Sequence, residues 1–232
     1  KALHLEESVK KLRDQVDPNA PIITIQNGLG AGDIILKHMP KNTLILGVAE
    51  GFGASLIAPG HVNHTANKKI RLGSISQKTG GKKLEKIVSA WRSGGLKTEI
   101  YKDIEQLIWE KLLCNVTVSG PCSIFGCNVK ELLNNKEYWE FALKCMQEAY
   151  SVGLAKGIPF SFDDPIEYVT DFAKRVGSAK PSMLQDFETK RKTEIDFING
   201  AIPPLAANYK ISTPFNNHVC KIIHDAEKLI KS

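Results

Sequence analysis

The stretch from Tyr101 to Gly126 constrains this chain most. Its sequence, YKDIEQLIWEKLLCNVTVSGPCSIFG, begins as an amphipathic helix and then becomes almost wholly apolar. Lys111, Asn115 and Ser119 lie four residues apart within it, and residues at that spacing share one face of a helix. Buried polar groups are costly unless a partner satisfies them. We therefore expect either another part of the protein or a ligand to meet this row of ammonium, carboxamide and hydroxyl groups.

The hydrophobic pattern differs on the two sides of Tyr101. Before it, β-branched apolar runs at Ile22–Ile25 and Thr43–Ala49 predict buried parallel strands that alternate with helices. After it, helical periodicity continues to the end of the chain. The sequence thus predicts an α/β part, residues 1–100, followed by an all-α part, residues 101–232, with the boundary near residues 99 to 101.

Glycine, proline and asparagine mark the predicted breaks. A region rich in Gly and β-branched residues predicts one or two strands with turns at Pro59-Gly60 and Asn67-Lys68. Gly120-Pro121 predicts the end of the central helix, and a separate short helix is expected at residues 121 to 125. The last helix is predicted from Pro214 to Lys231.

Ser182 and Glu194 are predicted to lie on one helix that runs to about Asn199. Ser182 and Gln185 have the spacing of a capping box. The predicted core-facing stripe of this helix comprises Leu184, Phe187, Arg191, Ile195 and Ile198. Twelve residues correspond to about 120° around the axis, so Ser182 and Glu194 would not share a face. From the pattern alone, a plain N-cap for Ser182 and a solvated charge for Glu194 remain open.

Two further features carry chemistry with an ordinary alternative beside each. Lys111 on an apolar face suits proton donation, because burial lowers the pKa of an amine, but it can equally snorkel to the surface. Asn27-Gly28-Leu29-Gly30 follows a buried strand, and its glycines let the backbone approach a ligand closely. A tight turn between a strand and a helix explains the same four residues.

Composition excludes several classes of protein. The chain of 232 residues has a net charge of +6, but no basic block is interleaved with aromatic residues, so nucleic acid is not an expected partner. No apolar run approaches the roughly 18 to 20 residues of a membrane span, and the charged start of the chain is unlike a signal peptide. The five cysteines predict buried free thiols in a reducing cytoplasm. The six histidines show no metal-binding spacing, and no metal is expected.

Several separate motifs, taken in order, resemble the ketopantoate reductase (2-dehydropantoate 2-reductase) family over nearly the whole chain. They are QNGLG at 26–30, PGHVNHT at 59–65, WEKLLCN at 109–115, SMLQD at 182–186, TEIDFINGAI at 193–202 and STPFN at 212–216. The resemblance implies NADPH-dependent reduction of 2-dehydropantoate to pantoate, for pantothenate (vitamin B5) and coenzyme A biosynthesis, by a cytoplasmic oxidoreductase.

The resemblance also implies roles for individual residues. Lys111 matches the general acid that protonates the carbonyl oxygen, and Glu194 matches the residue that hydrogen-bonds the substrate hydroxyl. Asn115 and Ser182 match substrate-binding positions. Asn27 matches the asparagine beside the nicotinamide and the substrate.

Other positions match less simply. Ser119 occupies a substrate-binding position at which the family commonly has a second asparagine. Lys1 resembles a family lysine near the cofactor, and Glu148 matches a further acidic residue. Weaker hold on the substrate, or a different 2-oxo acid, is the hypothesis that Ser119 raises.

The family begins with a strand and a GxGxxG turn, and none precedes QNGLG here. We expect residues 1–100 to be the remnant of a Rossmann-type NADP-binding domain whose N-terminal strands are absent, so that NADPH binds poorly. Residues 101–232 would form a helical substrate and dimerisation domain, and a homodimer is an expected assembly. Two alternatives stay open: a non-catalytic helical interaction remnant, and a related NADP-dependent reductase of another 2-oxo acid.

Overall fold

The computed structural model describes residues 1–75 and 77–230. They form two compact units. The sheet unit comprises His4–Gln26 and Ala31–Ile108, and the helical unit comprises Lys1–Leu3, Asn27–Gly30 and the chain from Trp109 onward. An α/β part followed by an all-α part is therefore confirmed. The predicted division of roles between residues 1–100 and 101–232 stays a prediction.

The sheet unit is a four-stranded mixed sheet with three helices of its own. Its elements are α1 (Leu5–Leu12), β1 (Ile22–Thr24), α2 (Ala31–His38), β2 (Leu44–Ala58), β3 (His61–Gly73), α3 (Gln77–Ser93) and β4 (Thr98–Ile100). The strand order is β1-β2-β3-β4. β1 runs parallel to β2, β2 antiparallel to β3, and β3 parallel to β4.

Alternation along β2 divides the sheet into two apolar faces. Leu44 and Leu46 pack with residues of α1 and α2, such as Val9. Ile45 points the other way and packs with Leu84 of α3. Successive side chains of a strand face opposite sides, so the continuous apolar run predicted a strand covered on both faces.

The hairpin of β2 and β3 is longer than predicted. β2 was expected to end at Ala49 but continues to Ala58, and the turn at Pro59-Gly60 is confirmed. The predicted turn at Asn67-Lys68 is wrong, because Asn67 pairs with Phe52 inside the ladder. Pairing with the opposite strand overrides the local turn preference of Asn, and the glycine-rich sequence is absorbed by irregularities such as the one between Gly53 and Ala54.

Helices build the rest of the molecule. They are α4 (Ile104–Phe125), α5 (Val129–Asn134), α6 (Lys136–Lys156), α7 (Pro165–Val176), α8 (Ser182–Glu188), α9 (Ile202–Ala207) and α10 (Pro214–Ile230). Single turns of 3-10 helix lie at Ile195–Phe197 and Asn199–Ala201. The predicted end of α10 at Lys231 lies outside the described residues. Within those residues, no helix combines the length and the apolar character needed to cross a membrane.

α4 runs through Gly120-Pro121, so the predicted break is wrong. Pro121 removes one backbone donor, but packing from distant parts of the chain holds the helix. A Cβ at Gly120 would lie 2.5 Å from Cγ1 of Val219, which shows how closely α10 approaches. The Nδ2 group of Asn199 donates to the carbonyl oxygen of Val116 at 3.1 Å. Proline normally disrupts a helix interior by about 3 kcal/mol, and these contacts offset that cost.

α8 is much shorter than predicted. It ends at Glu188, and Lys190 has a left-handed φ of 54°. The N–H of Arg191 then donates to the carbonyl oxygen of Asp186 at 2.8 Å, the wrapped hydrogen bond that ends many helices. The predicted helix to Asn199 is therefore wrong, and its stripe does not exist as one face.

The predicted capping box at Ser182 is also absent. No side chain caps the start of α8, where Pro181 precedes Ser182. Gln185 instead donates from Nε2 to the carbonyl oxygen of Lys180 at 2.8 Å. The ring of Pro181 already sets a backbone conformation suited to a helix start.

All five cysteines are unpaired thiols, and four are buried. Burial raises the pKa of the Cys114 thiol to about 12, and it raises the pKa of Cys145 as well. These thiols therefore remain protonated near neutral pH and behave as small apolar side chains.

Candidate active site

The continuous α4 helix places Lys111, Asn115 and Ser119 on one face. Successive members of the row are one turn apart, about 6 Å between Cβ atoms. Lys111 and Asn115 are half-buried, and Ser119 is only 4% exposed. The row is bordered by fully buried apolar residues, including Leu112 and Val116. The polar row predicted from spacing is thus a real surface of this helix.

Two side chains of this row, those of Asn115 and Ser119, have no hydrogen-bond partner among the described residues. The same holds for the half-buried side chain of Asn27. Buried polar side chains are usually hydrogen-bonded, so an unpartnered set points to a ligand.

The Asn27–Gly30 loop rests on the turn at Ile195–Phe197. The N–H of Leu29 donates to the carbonyl oxygen of Phe197 at 2.8 Å. Gly28 has φ +84°, and a Cβ there would lie 2.0 Å from that same oxygen. Gly30 has φ +91° with no atom within 4 Å of its would-be Cβ. The close approach at Gly28 is to the protein itself, whereas Gly30 borders open space.

Glu194 is buried, at 9% exposure, so the solvated-charge alternative is excluded. Its Oε1 accepts the backbone N–H of Ala2 at 2.8 Å. Its other carboxylate oxygen, Oε2, has no hydrogen-bond partner among the described residues. This second oxygen can accept a hydrogen bond from a ligand.

Lys1 forms an ion pair with Asp186, which is 3% exposed. Asp186 also accepts from Nε of Arg191 at 3.1 Å. Asp186 belongs to the SMLQD motif, but the sequence alone indicated no role for it. Arg191 is only five residues away, but Lys1 is 185 residues away, so no local pattern could have predicted the ion pair.

The segment that carries Glu194 is tied to α4. Asn199 donates from Nδ2 to the carbonyl oxygen of Val116, the residue after Asn115, and also to Oδ1 of Asn216 at 2.9 Å. Hydrogen bonds of this kind therefore join the segments that carry Lys1, Asn27 and Glu194 to one another and to α4 within the helical unit.

Ser182 and Glu148 stand apart from this group. Ser182 is exposed at the start of α8, and none of its hydrogen bonds within the described residues reaches another predicted site residue. Glu148 accepts the N–H groups of Phe215 and Asn216, at 2.8 and 2.9 Å, so it caps the start of α10. Within the described part of the chain, no group of His, Cys, Asp or Glu is arranged to hold a metal ion.

Two family models match the chain. Residues 1–77 match the model described as Ketopantoate reductase PanE/ApbA, and residues 103–227 match Ketopantoate reductase PanE/ApbA C terminal. The 2-dehydropantoate 2-reductase of Archaeoglobus fulgidus is 30% identical over 98% of this chain and 74% of its own length.

Two solved structures have the same fold as this chain over most of its length. The 2-dehydropantoate 2-reductase from Methylococcus capsulatus aligns with a TM-score of 0.82 at 25% identity, over 95% of this chain and 70% of that one. A complex of D-mandelate dehydrogenase with NADH aligns with a TM-score of 0.87 at 25% identity, over 98% of this chain and 77% of that chain. The fold is therefore a Rossmann-like α/β part followed by a helical part. The chain belongs to the ketopantoate reductase family.

Proposed function

We propose that this protein is an NADPH-dependent oxidoreductase that reduces 2-dehydropantoate to pantoate in pantothenate and coenzyme A biosynthesis. One observation carries the proposal: the unpartnered side chains of Asn115 and Ser119 share a helix face with Lys111. Relatives named 2-dehydropantoate 2-reductase, such as that of Archaeoglobus fulgidus, support the choice of reaction.

A nicotinamide nucleotide supplies a hydride when bound. The residues present fit the nicotinamide end of such a molecule. The Asn27 carboxamide is half-buried and has no partner among the described residues, and Gly30 beside it borders open space. Lys1 offers a cation held in place by Asp186. We assign cofactor binding to Asn27 and Lys1.

Lys111 is the proposed general acid. Reduction of a ketone turns its oxygen into an alkoxide. The Lys111 ammonium stabilises that negative charge as it forms and then donates a proton to the oxygen. The buried apolar residues that border it, such as Leu112, keep water out and strengthen this interaction.

The remaining residues hold the substrate. Oε2 of Glu194 accepts the hydrogen bond of the substrate hydroxyl. Asn115 and Ser119 donate to its carboxylate. Ser182, which is exposed at the start of α8 and not hydrogen-bonded to these residues, is the remaining proposed substrate residue. Fixed donors of this kind orient the ketone before the reaction begins.

A second 2-oxo acid substrate is the alternative that one observation favours. Ser119 is buried, and its side chain is shorter than the asparagine that the family commonly has there, so a bulkier substrate would meet less side chain at this position. The likeness to D-mandelate dehydrogenase, which acts on an aromatic 2-hydroxy acid, supports a bulkier ligand.

The test follows NADPH oxidation with 2-dehydropantoate and with benzoylformate, using this chain and a version extended upstream to a GxGxxG turn. Turnover of 2-dehydropantoate in either protein supports the proposal. Preference for benzoylformate supports the alternative. If neither protein turns over a substrate or binds the cofactor, both the proposal and the alternative are contradicted. Replacing NADPH with NADH tests the cofactor, and light scattering tests the proposed homodimer.

A further inference from the structure

A buried carboxylate on the last helix holds the residue that precedes Glu194. Glu227 of α10 is 8% exposed. Its Oε1 accepts the backbone N–H of Thr193 at 2.7 Å and the Thr193 hydroxyl at 2.7 Å. The two residues are 34 positions apart, so this contact exists only in the folded chain.

The same hydroxyl also fixes the residue after Glu194. Oγ1 of Thr193 accepts the N–H of Ile195 at 3.3 Å. Thr193 and Ile195 are both fully buried. The backbone on each side of Glu194 is therefore held through one threonine, and that threonine is held by Glu227.

The local structure makes such a clamp necessary. α8 ends at Glu188, and Glu194 is reached through an irregular segment with Lys190 in a left-handed conformation. Helical hydrogen bonds do not fix this segment. A carboxylate that must meet a ligand needs its backbone held by other groups.

Burying the Glu227 carboxylate costs free energy. Among the described residues it has no Lys, Arg or His partner, and a buried carboxylate without a cation is costly. Hydrogen bonds to a charged acceptor are, in return, about twice as strong as neutral ones.

We propose that Glu227 is a positioning residue for Glu194 and acts through Thr193. The proposal rests on the proposed function of Glu194, the hydrogen bond from Oε2 to the substrate hydroxyl. Glu227 itself does not touch the substrate. Its role is to set the direction in which Oε2 points.

The test compares kcat and KM for the ketone substrate in the full active protein. Glu227→Ala should raise KM about tenfold with little change in kcat, because one hydrogen bond to the substrate is misplaced. Glu227→Gln should restore most of the wild-type KM, since its carbonyl can accept the same bonds. Thr193→Ser should behave like the wild type, and Thr193→Val like Glu227→Ala.

Two controls separate positioning from general damage. Asp225→Ala removes an exposed carboxylate two residues away on α10, and KM should not change. In a Glu194→Gln background, Glu227→Ala should add less than about twofold to KM, because the positioned group is already gone.

A tenfold rise that persists in the Glu194→Gln background overturns the proposal, as does an unchanged KM in Glu227→Ala. Failure of the proposed function looks different, since Glu194→Gln alone would then leave KM unchanged. If Glu227→Ala does not fold, Thr193→Val against Thr193→Ser gives the same comparison.

Discussion

The backbone N–H of Leu29 lies 2.8 Å from the carbonyl oxygen of Phe197, so a loop near the start of the chain rests on a turn near its end. Asn27 lies two residues before Leu29, and Glu194 lies three residues before Phe197. The hydrogen bond therefore places a proposed cofactor residue and a proposed substrate residue on two segments that hold each other.

Gly28→Ala should lower kcat/KM and stability together. A Cβ at this position would lie 2.0 Å from the Phe197 carbonyl oxygen, and φ is +84°, so the loop must move. We expect a loss of unfolding free energy of about 2 to 4 kcal/mol, measured by urea denaturation.

Gly30→Ala is the matched control for this change. Its φ of +91° is similar, but no atom lies within 4 Å of the added Cβ. It should cost only the backbone strain, about 1 to 2 kcal/mol. Equal losses in the two variants would show that the contact with Phe197 does not matter.

Ser119→Asn should change the substrate preference. Ser119 is 4% exposed and its hydroxyl has no partner among the described residues, so a carboxamide there adds a hydrogen-bond donor for the substrate. We expect kcat/KM for 2-dehydropantoate to rise about tenfold, measured in steady state against Ser151→Asn on the exposed side of α6. No change for 2-dehydropantoate would count against a role for Ser119.

The pH dependence of stability should contain a contribution from Glu6 of α1. A hydrogen bond from His38 and the nearby ammonium of Lys10 lower the pKa of the Glu6 carboxyl from 4.5 to about 2. A carboxyl group whose pKa is lower in the folded state stabilises the fold at pH values above its unfolded pKa. This stabilisation is lost as the pH falls toward the folded pKa.

The wild type should therefore lose stability relative to Glu6→Gln as the pH falls from about 4.5 to about 2. Thermal unfolding of both proteins across that range measures the difference. A constant difference between them would mean that Glu6 makes no such contribution. Glu85→Gln, an exposed carboxylate on α3, serves as the control.

Local signals predicted the elements that local chemistry determines. α2 and α5 have such local signals, since Pro40 follows the end of α2 and Asn128 caps α5 with a full capping box. The end of α6 at Gly157 follows from a left-handed glycine. Each of these features lies within one or two turns of the residue it decides.

Distant packing decided the elements that were predicted wrongly. α4 continues through Pro121 because Asn199 and Val219, far along the chain, pack against it. α8 stops where Lys190 takes a left-handed conformation that its sequence does not signal.

The candidate site likewise contains residues that local spacing predicts and residues that only distant contacts bring together. The row of Lys111, Asn115 and Ser119 follows from helical spacing and could be predicted. The burial of Glu194 and its contact with Ala2, 192 residues away, could not be. The ion pair of Lys1 with Asp186 likewise joins residues that no sequence window contains.

If Lys111 protonates the ketone oxygen, replacing it must slow the reaction, so kcat of Lys111→Ala is measured for NADPH-dependent ketone reduction. The control is Lys130→Ala, which removes an exposed lysine from α5. Both variants should show the thermal unfolding of the wild type to within a few degrees. We predict that kcat falls about 10²- to 10⁴-fold in Lys111→Ala and stays unchanged in Lys130→Ala. A Lys111→Ala protein that is folded and retains kcat within about threefold of the wild type would contradict this role of Lys111.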